Sequence, residues 1–209
     1  MTEQTYKAVL FDLGGVVLGS PLHAIARFES DHGIPEGFVN RLVVEKAPDG
    51  AWSRLERGEL DIDTFCEAFD DECRERGHLL PAKALMEQIA SSSGPRPTML
   101  TALRRIRQQG LVVAALTNNW KSDGQDRHQL RPCFDHFIES SVVGLRKPDP
   151  AIYRHALDLI GVEPTEAVFL DDIGGNLKTA RAMGLTTIKV VTPEGALSEL
   201  ESALGFPLD

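Results

Sequence analysis

Three apolar runs in this sequence end in residues able to do chemistry. Lys7-Ala-Val-Leu-Phe11 leads into Asp12, Leu111-Val-Val-Ala-Ala-Leu116 into Thr117, Asn118 and Asn119, and Ala167-Val-Phe-Leu170 into Asp171 and Asp172. Runs of this length and composition read as buried strands. A carboxylate at the end of a buried strand costs several kcal/mol to desolvate unless something offsets it, so the three ends are expected to share one site. Adjacent acids repel unless a cation lies between them, which makes a cation-dependent site the chemistry to look for. Taken singly, each residue has a plainer role. Asp12 can cap the Gly pair that follows, Thr117 and Asn118 can bond their own loop, and Asp171 or Asp172 can cap a helix.

The elements that must position these ends follow from the same pattern. The first strand breaks at Gly14-Gly15, and two further runs, Thr186–Val191 and the weaker Phe137–Val143, also read as strands. Between them lie helical patterns, Thr98–Gln109 before Gly110, Pro150–Ile160 before Gly161 and Asn176–Met183 before Gly184, each with a glycine where a left-handed cap is wanted. Such alternation specifies an α/β fold, a doubly wound parallel sheet with ligands at the carboxyl ends of its strands. The stretch from Leu18 to Ser93 differs. It is charged, has helical patterns at Pro21–His32, Trp52–Gly58 and Ile62–Arg76, and shows no strand signal. It reads as a helical module, residues 18–93, inserted into a core of residues 1–17 and 94–209. Ser91–Pro97 forms its return linker, and Ala196–Leu204 is an amphipathic helix expected to dock on the sheet.

Composition narrows the function. Hydrophobic residues are 42% and charged residues 25% of 209, ordinary globular usage that argues against disorder or a fibrous repeat. Thirty-one acids against twenty-two Lys and Arg leave a net charge of −9, so no nucleic-acid partner is expected. A small anionic substrate then requires a bound cation or placed basic groups to reverse the field locally. The longest apolar run, Leu111–Leu116, is far short of the roughly 20 residues that cross a bilayer, so no membrane partner is expected. Glu3 and Asp12 interrupt the N-terminal region, which therefore does not read as a signal peptide. Cys66, Cys73 and Cys133 lack metal-ligand or C-x-x-C spacing and read as free thiols in a reducing, cytoplasmic setting.

Four segments in order carry a resemblance. Phe11-Asp12-Leu13-Gly14-Gly15-Val16, Leu116-Thr117-Asn118-Asn119, Arg146-Lys147-Pro148-Asp149-Pro150, and Leu170-Asp171-Asp172 with Asn176 resemble the four motifs of the haloacid dehalogenase (HAD) superfamily of aspartate-nucleophile hydrolases. Finer detail in Thr117–Trp120, Phe137–Ser140, Gly144–Pro148 and Asp171–Lys178 is similar to the phosphatase domain of soluble epoxide hydrolase and to a domain of acyl-CoA dehydrogenase family member 10. The resemblance implies a Rossmann-like core with a helical cap. It implies that Asp12 is the nucleophile and forms an aspartyl-phosphate, that Thr117, Asn118 and Lys147 hold the substrate phosphate, and that Asp12, Asp172 and the Gly14 carbonyl ligate Mg²⁺. Asp171 and Asn176 then stand behind the ligands, and Arg146 is read as solvated surface.

One departure qualifies this expectation. Phosphatases of the family usually carry a second Asp two residues after the nucleophile, as general acid, and here that position is Gly14. General acid–base catalysis is worth about 10² to 10⁴ in rate. The expected function is therefore a Mg²⁺-dependent phosphatase for a small phosphorylated metabolite, favouring good leaving groups or borrowing an acid from Glu45, His23 or Asp49. The alternative is a catalytically weak phosphate- or metal-binding regulatory module. A 2-haloacid dehalogenase fits less well because that branch lacks the acidic pair. A phosphonatase using Lys46 or Lys83 is disfavoured because either lysine reads as a solvated helix charge. The chain is expected to be a monomer or homodimer.

Overall fold

The structure is a computed structural model that describes residues 6–91, 94–121 and 129–209. Five strands, β1 (Ala8–Phe11), β2 (Val112–Thr117), β3 (His136–Glu139), β4 (Ala167–Asp171) and β5 (Thr186–Lys189), form one sheet in the order β3-β2-β1-β4-β5. All the pairs are parallel. A buried parallel sheet needs apolar residues on both faces, and successive residues here supply them alternately. Val9, Phe11, Val113, Ala115, Val168 and Leu170 belong to one apolar cluster, while Ala8, Leu10, Ala114, Leu116, Ala167 and Phe169 belong to another.

Helices cover both faces. The first cluster is closed by α6 (Pro97–Gln108) and α10 (Pro193–Leu204), which contribute Met99, Leu103 and Ile106, and Ala196 and Leu200. The second is closed by α8 (Pro150–Ile160) and α9 (Gly174–Ala182), which contribute Ile152, Tyr153 and Leu157, and Leu177 and Ala180. Gly110, Gly161 and Gly184 take positive φ values of 84°, 79° and 102°, as their places after helices require.

Between β1 and β2 the chain forms α1 (Pro21–Asp31), α2 (Phe38–Lys46), α3 (Ala51–Glu56), α4 (Ile62–Glu75) and α5 (Ala82–Ser91). Their buried apolar residues, from Ala24 to Ile89, make a third cluster of their own, into which Trp120 also packs. Leu18 and Pro95 form an isolated antiparallel bridge, so the outgoing and returning chains lie side by side. Ser92 and Ser93 of the return linker lie outside the described residues.

One element differs from the sequence reading. The run Phe137–Val143 is not a single strand, since β3 stops at Glu139 and Ser140–Val143 form a helical turn, α7, ended by Gly144 at φ 70°. The cause is Asn119, which is almost fully buried. Its Oδ1 accepts from Ser141 N (3.2 Å) and Ser141 Oγ (2.9 Å), while Ser140 Oγ accepts from its backbone N–H (2.8 Å). The serines thus bond to the end of β2 instead of extending the ladder. Among the described residues, no helix is long and apolar enough to cross a membrane.

Candidate active site

Register brings the first two acids together. Phe11 lies opposite both Ala115 of β2 and Leu170 of β4, so the next residues, Asp12 and Asp171, leave adjacent strands at one level, about 4.8 Å apart. The Asp12 N–H donates to Leu170 O at 2.9 Å, which extends the ladder to this point. Asp12 Oδ1 accepts from Leu13 N at 2.7 Å and lies 2.9 Å from Lys147 Nζ. No hydrogen bond reaches Asp12 Oδ2 among the described residues, so one carboxylate oxygen is fixed and the other is available.

Asp171 is saturated. Its Oδ2 accepts from Lys147 Nζ at 2.7 Å, its Oδ1 from Ile173 N at 2.7 Å, and both oxygens from Asn176 Nδ2 at 3.0 and 3.2 Å. The Asn176 carbonyl in turn accepts from Tyr153 Oη at 2.9 Å. Asp172 is less enclosed and accepts a long bond, 3.3 Å, from Ser20 Oγ. Its carboxylate occupies the place where a side chain at position 15 would start. A Cβ on Gly15 would overlap Asp172 Oδ2, and Gly15 sits at φ 79°. Gly15 is therefore required by the second acid as well as by the turn. Arg96, where the chain returns from the insertion, clamps that turn by donating to Gly15 O at 2.9 Å and Val16 O at 3.3 Å.

The electrostatics follow from three buried or half-buried carboxylates around one ammonium. Oxygens of Asp12, Asp171 and Asp172 lie within 4.8 Å of one another. Burial raises the Asp12 carboxyl to about 7, aided by the charges of Asp171 and Asp172 and opposed by Lys147. Burial and Asp171 likewise push Asp172 up. Burial alone would lower the Lys147 ammonium, but Asp12 and Asp171 together hold it above its ordinary value. A cluster of carboxylate oxygens with more negative than positive charge fits a hard divalent cation. Asp12 and Asp172 are the side chains left to hold it, while Asp171 is committed to its own partners.

The remaining expected residues are placed as follows. Thr117 is buried at the end of β2 and its Oγ1 donates to Asn118 O at 3.3 Å. The Asn118 carboxamide is engaged with the Lys147 backbone, with Oδ1 accepting from Lys147 N at 2.8 Å and Nδ2 donating to Lys147 O at 3.0 Å. Its second amide proton goes to Glu56 Oε2 at 3.1 Å. Asn118 therefore acts here as a clamp on the lysine's main chain.

Arg146 corrects its reading as solvated surface. It is mostly buried, and its Nε donates to Glu56 Oε2 at 2.7 Å. Glu56 itself was not singled out from sequence, because an acid four residues after a Trp in a helix carries no chemical signature. Of the expected replacement acids, Glu45 pairs with Arg76 on the exposed surface of the insertion. Asp49 is exposed, and His23 lines an open groove with Arg27, Asp31 and Gln88. Lys46 pairs with Glu75, and Lys83 is exposed.

A doubly wound sheet with an acid pair, a lysine and a strand-end aspartate converging at its carboxyl edge belongs to a recognisable class, and the chain is a member of the haloacid dehalogenase-like hydrolase family, whose model matches residues 6–184. Two similar proteins are acyl-CoA dehydrogenase family member 10 of Mus musculus, 38% identical over 98% of this chain, and bifunctional epoxide hydrolase 2 of Sus scrofa, 36% identical over 97%. The chain spans only 20% and 39% of those relatives' lengths. Among solved structures, a HAD family enzyme from Bacteroides thetaiotaomicron, in complex with magnesium and inorganic phosphate, is similar with a TM-score of 0.60 and 24% identity. The match covers 88% of this chain and 93% of that one.

Proposed function

We propose that this hydrolase is a Mg²⁺-dependent phosphatase that cleaves a small phosphate monoester through an aspartyl-phosphate on Asp12. The observation that carries the reading is the division of labour within one carboxylate, with Oδ1 fixed by Leu13 N–H and Lys147 and Oδ2 left to react. Asp12 Oδ2 attacks phosphorus, the bond from phosphorus to the leaving oxygen breaks, and that oxygen keeps the electron pair and takes a proton from water. A second water then attacks the phosphorus and returns Asp12 as a carboxylate with inorganic phosphate as product. Lys147 holds Asp12 in place and offers positive charge to the phosphoryl oxygens, with Thr117 and the Asn118 main chain at the same strand edge. Mg²⁺, held by Asp12, Asp172 and the Gly14 carbonyl, would supply charge neutralisation. The magnesium and phosphate bound to the similar Bacteroides enzyme support the choice of both. Residues 18–93 act as a cap that excludes water and selects the substrate.

The test is hydrolysis of p-nitrophenyl phosphate with Mg²⁺ and with EDTA. Turnover is expected with the metal only, and equal rates in EDTA would overturn the reading. Because Gly14 supplies no general acid, acyl and anomeric sugar phosphates are expected to outpace simple alkyl phosphates by about 10² to 10⁴.

Gly14 also favours the second reading, a phosphate- or metal-binding module of low turnover. A Cβ there would meet Pro21 Cδ at 3.2 Å, so α1 would have to give by a few tenths of an ångström to admit the usual acid. Turnover absent in the wild type and gained in Gly14→Asp would decide for that reading.

Gly15→Ala tests the metal site directly. The methyl displaces the Asp172 carboxylate, and the Mg²⁺ concentration for half-maximal binding is expected to rise about 10- to 100-fold, the size of effect found when groups that orient metal ligands are removed. Calorimetric titration with Mg²⁺ measures it, and an unchanged affinity would remove Asp172 from the ligand set.

A further inference from the structure

We propose that Glu56, in the inserted helix α3, is a positioning residue that holds Lys147 in register with Asp12. Glu56 is buried, 8% exposed, and its carboxylate collects three donors. These are Trp52 Nε1 on Oε1 at 3.2 Å, and Arg146 Nε at 2.7 Å and Asn118 Nδ2 at 3.1 Å on Oε2. Two of the three come from the core and flank Lys147. Arg146 precedes it in sequence, and Asn118 grips its main chain at both N–H (2.8 Å) and carbonyl (3.0 Å). The Lys147 ammonium then lies 2.9 Å from Asp12 and 2.7 Å from Asp171. A continuous bonded path therefore runs from the insertion to the nucleophile.

Two further contacts show that α3 is seated tightly on the core. A Cβ on Gly58, at φ 71°, would overlap the Ser141 carbonyl of α7, so the chain leaving α3 meets the core at backbone distance. Trp52 meets Trp120 edge to face, with ring centroids 6.3 Å apart. Charge rather than size is what the position uses. A desolvated carboxylate is tolerated where donors converge on it, and Gln in its place has no charge and only one oxygen, which cannot serve Trp52 on one side and Arg146 and Asn118 on the other. When α3 is seated, Glu56 fixes the Asn118 amide and thereby the Lys147 main chain. When α3 is displaced, that anchor is lost and the lysine is free to drift from Asp12. Insertion and active site are coupled through a single carboxylate.

The kinetic arm of the test rests on the phosphatase reading, and the exchange arm does not. In Glu56→Gln, hydrogen–deuterium exchange at the Lys147 amide is expected to accelerate at least tenfold. With p-nitrophenyl phosphate and Mg²⁺, kcat should fall tenfold or more while KM stays within about twofold. Glu56→Asp, which keeps the charge, should recover part of both. Lys147 exchange equal to wild type overturns the proposal, as does a change in KM alone, which would make Glu56 a substrate contact. Faster exchange in the variant, with no phosphatase turnover in the wild type, would retain the coupling and reject the function. If Glu56→Gln does not fold, Arg146→Met removes one donor and decides. Faster Lys147 exchange supports the proposal and wild-type exchange overturns it.

Discussion

Asp12→Asn is expected to reduce Mg²⁺-dependent hydrolysis of phosphate esters by about 10⁴ to 10⁶, the loss seen when an enzyme's covalent nucleophile is removed. The carboxamide keeps the shape of the side chain and one oxygen for Leu13 N–H, so the fold should survive while the nucleophilic oxygen does not. Trapping with phosphate-ester substrate and mass spectrometry provides a second readout, since the wild type should gain a phosphoryl group on the Asp12 peptide and the variant should not. Turnover retained within tenfold would reject the nucleophile assignment. The same substitution reports on the buried charge. Without metal, the folded-state value of Asp12 is raised from 3.8 to about 7, first by burial and then by Asp171 and Asp172 against the pull of Lys147. The folded chain therefore binds a proton that the unfolded chain has released. Its contribution to stability is full below about pH 4 and is lost as pH rises through about 7. Urea unfolding of metal-free wild type should consequently show a fall between pH 4 and 7 that Asp12→Asn lacks. Parallel pH profiles for the two proteins would contradict this.

Lys147→Met is expected to be the most destabilising single change at the site, about 3–5 kcal/mol by urea unfolding without metal, because it leaves buried carboxylates unpaired. Lys147 is 1% exposed and Asp171 fully buried, so water cannot replace the ammonium without opening the site. With the lysine gone, burial and the charges of Asp171 and Asp172 are left to raise the proton affinity of Asp12 without its opposing charge. The deficit should therefore grow with rising pH and shrink in acid. Adding Asp171→Asn removes one of the stranded charges and should recover much of the stability while leaving turnover at least about 10² below wild type, the scale of losing one preorganised electrostatic contact. A stability loss under about 1 kcal/mol for Lys147→Met would show that the ammonium is not what balances the acids.

The chemistry-bearing strand ends were legible because a buried strand is a short apolar run and an acid at its tip is conspicuous. Asp12, Thr117 and the Asp171–Asp172 pair stand at the ends of β1, β2 and β4, and the glycines after three helices take the left-handed geometry expected of them. Where local side chains compete with the ladder, the pattern misled. Val142 and Val143 look like strand residues, but Ser140 and Ser141 are drawn onto Asn119 and the strand ends early. Arg146 looked like surface because its partner, Glu56, lies in a separate helical insertion far away along the chain.

What the sequence determined by itself was therefore most of the secondary elements, their parallel alternation and the identity of the acids, all of which follow from periodicity and from short-range backbone rules. Only the tertiary structure decided how those acids divide their work. Register between β1 and β4 sets Asp12 beside Asp171. The approach of Asp172 to the bare face of Gly15 and the convergence of Lys147 on two carboxylates leave one Asp12 oxygen unengaged. The seating of α3 that brings Glu56 to Asn118 and Arg146 is likewise a long-range packing outcome. The physical reason is the same in each case. The energy of a buried charge depends on which donors lie within about 3 Å of it, and those donors come from segments that folding, not sequence proximity, brings together.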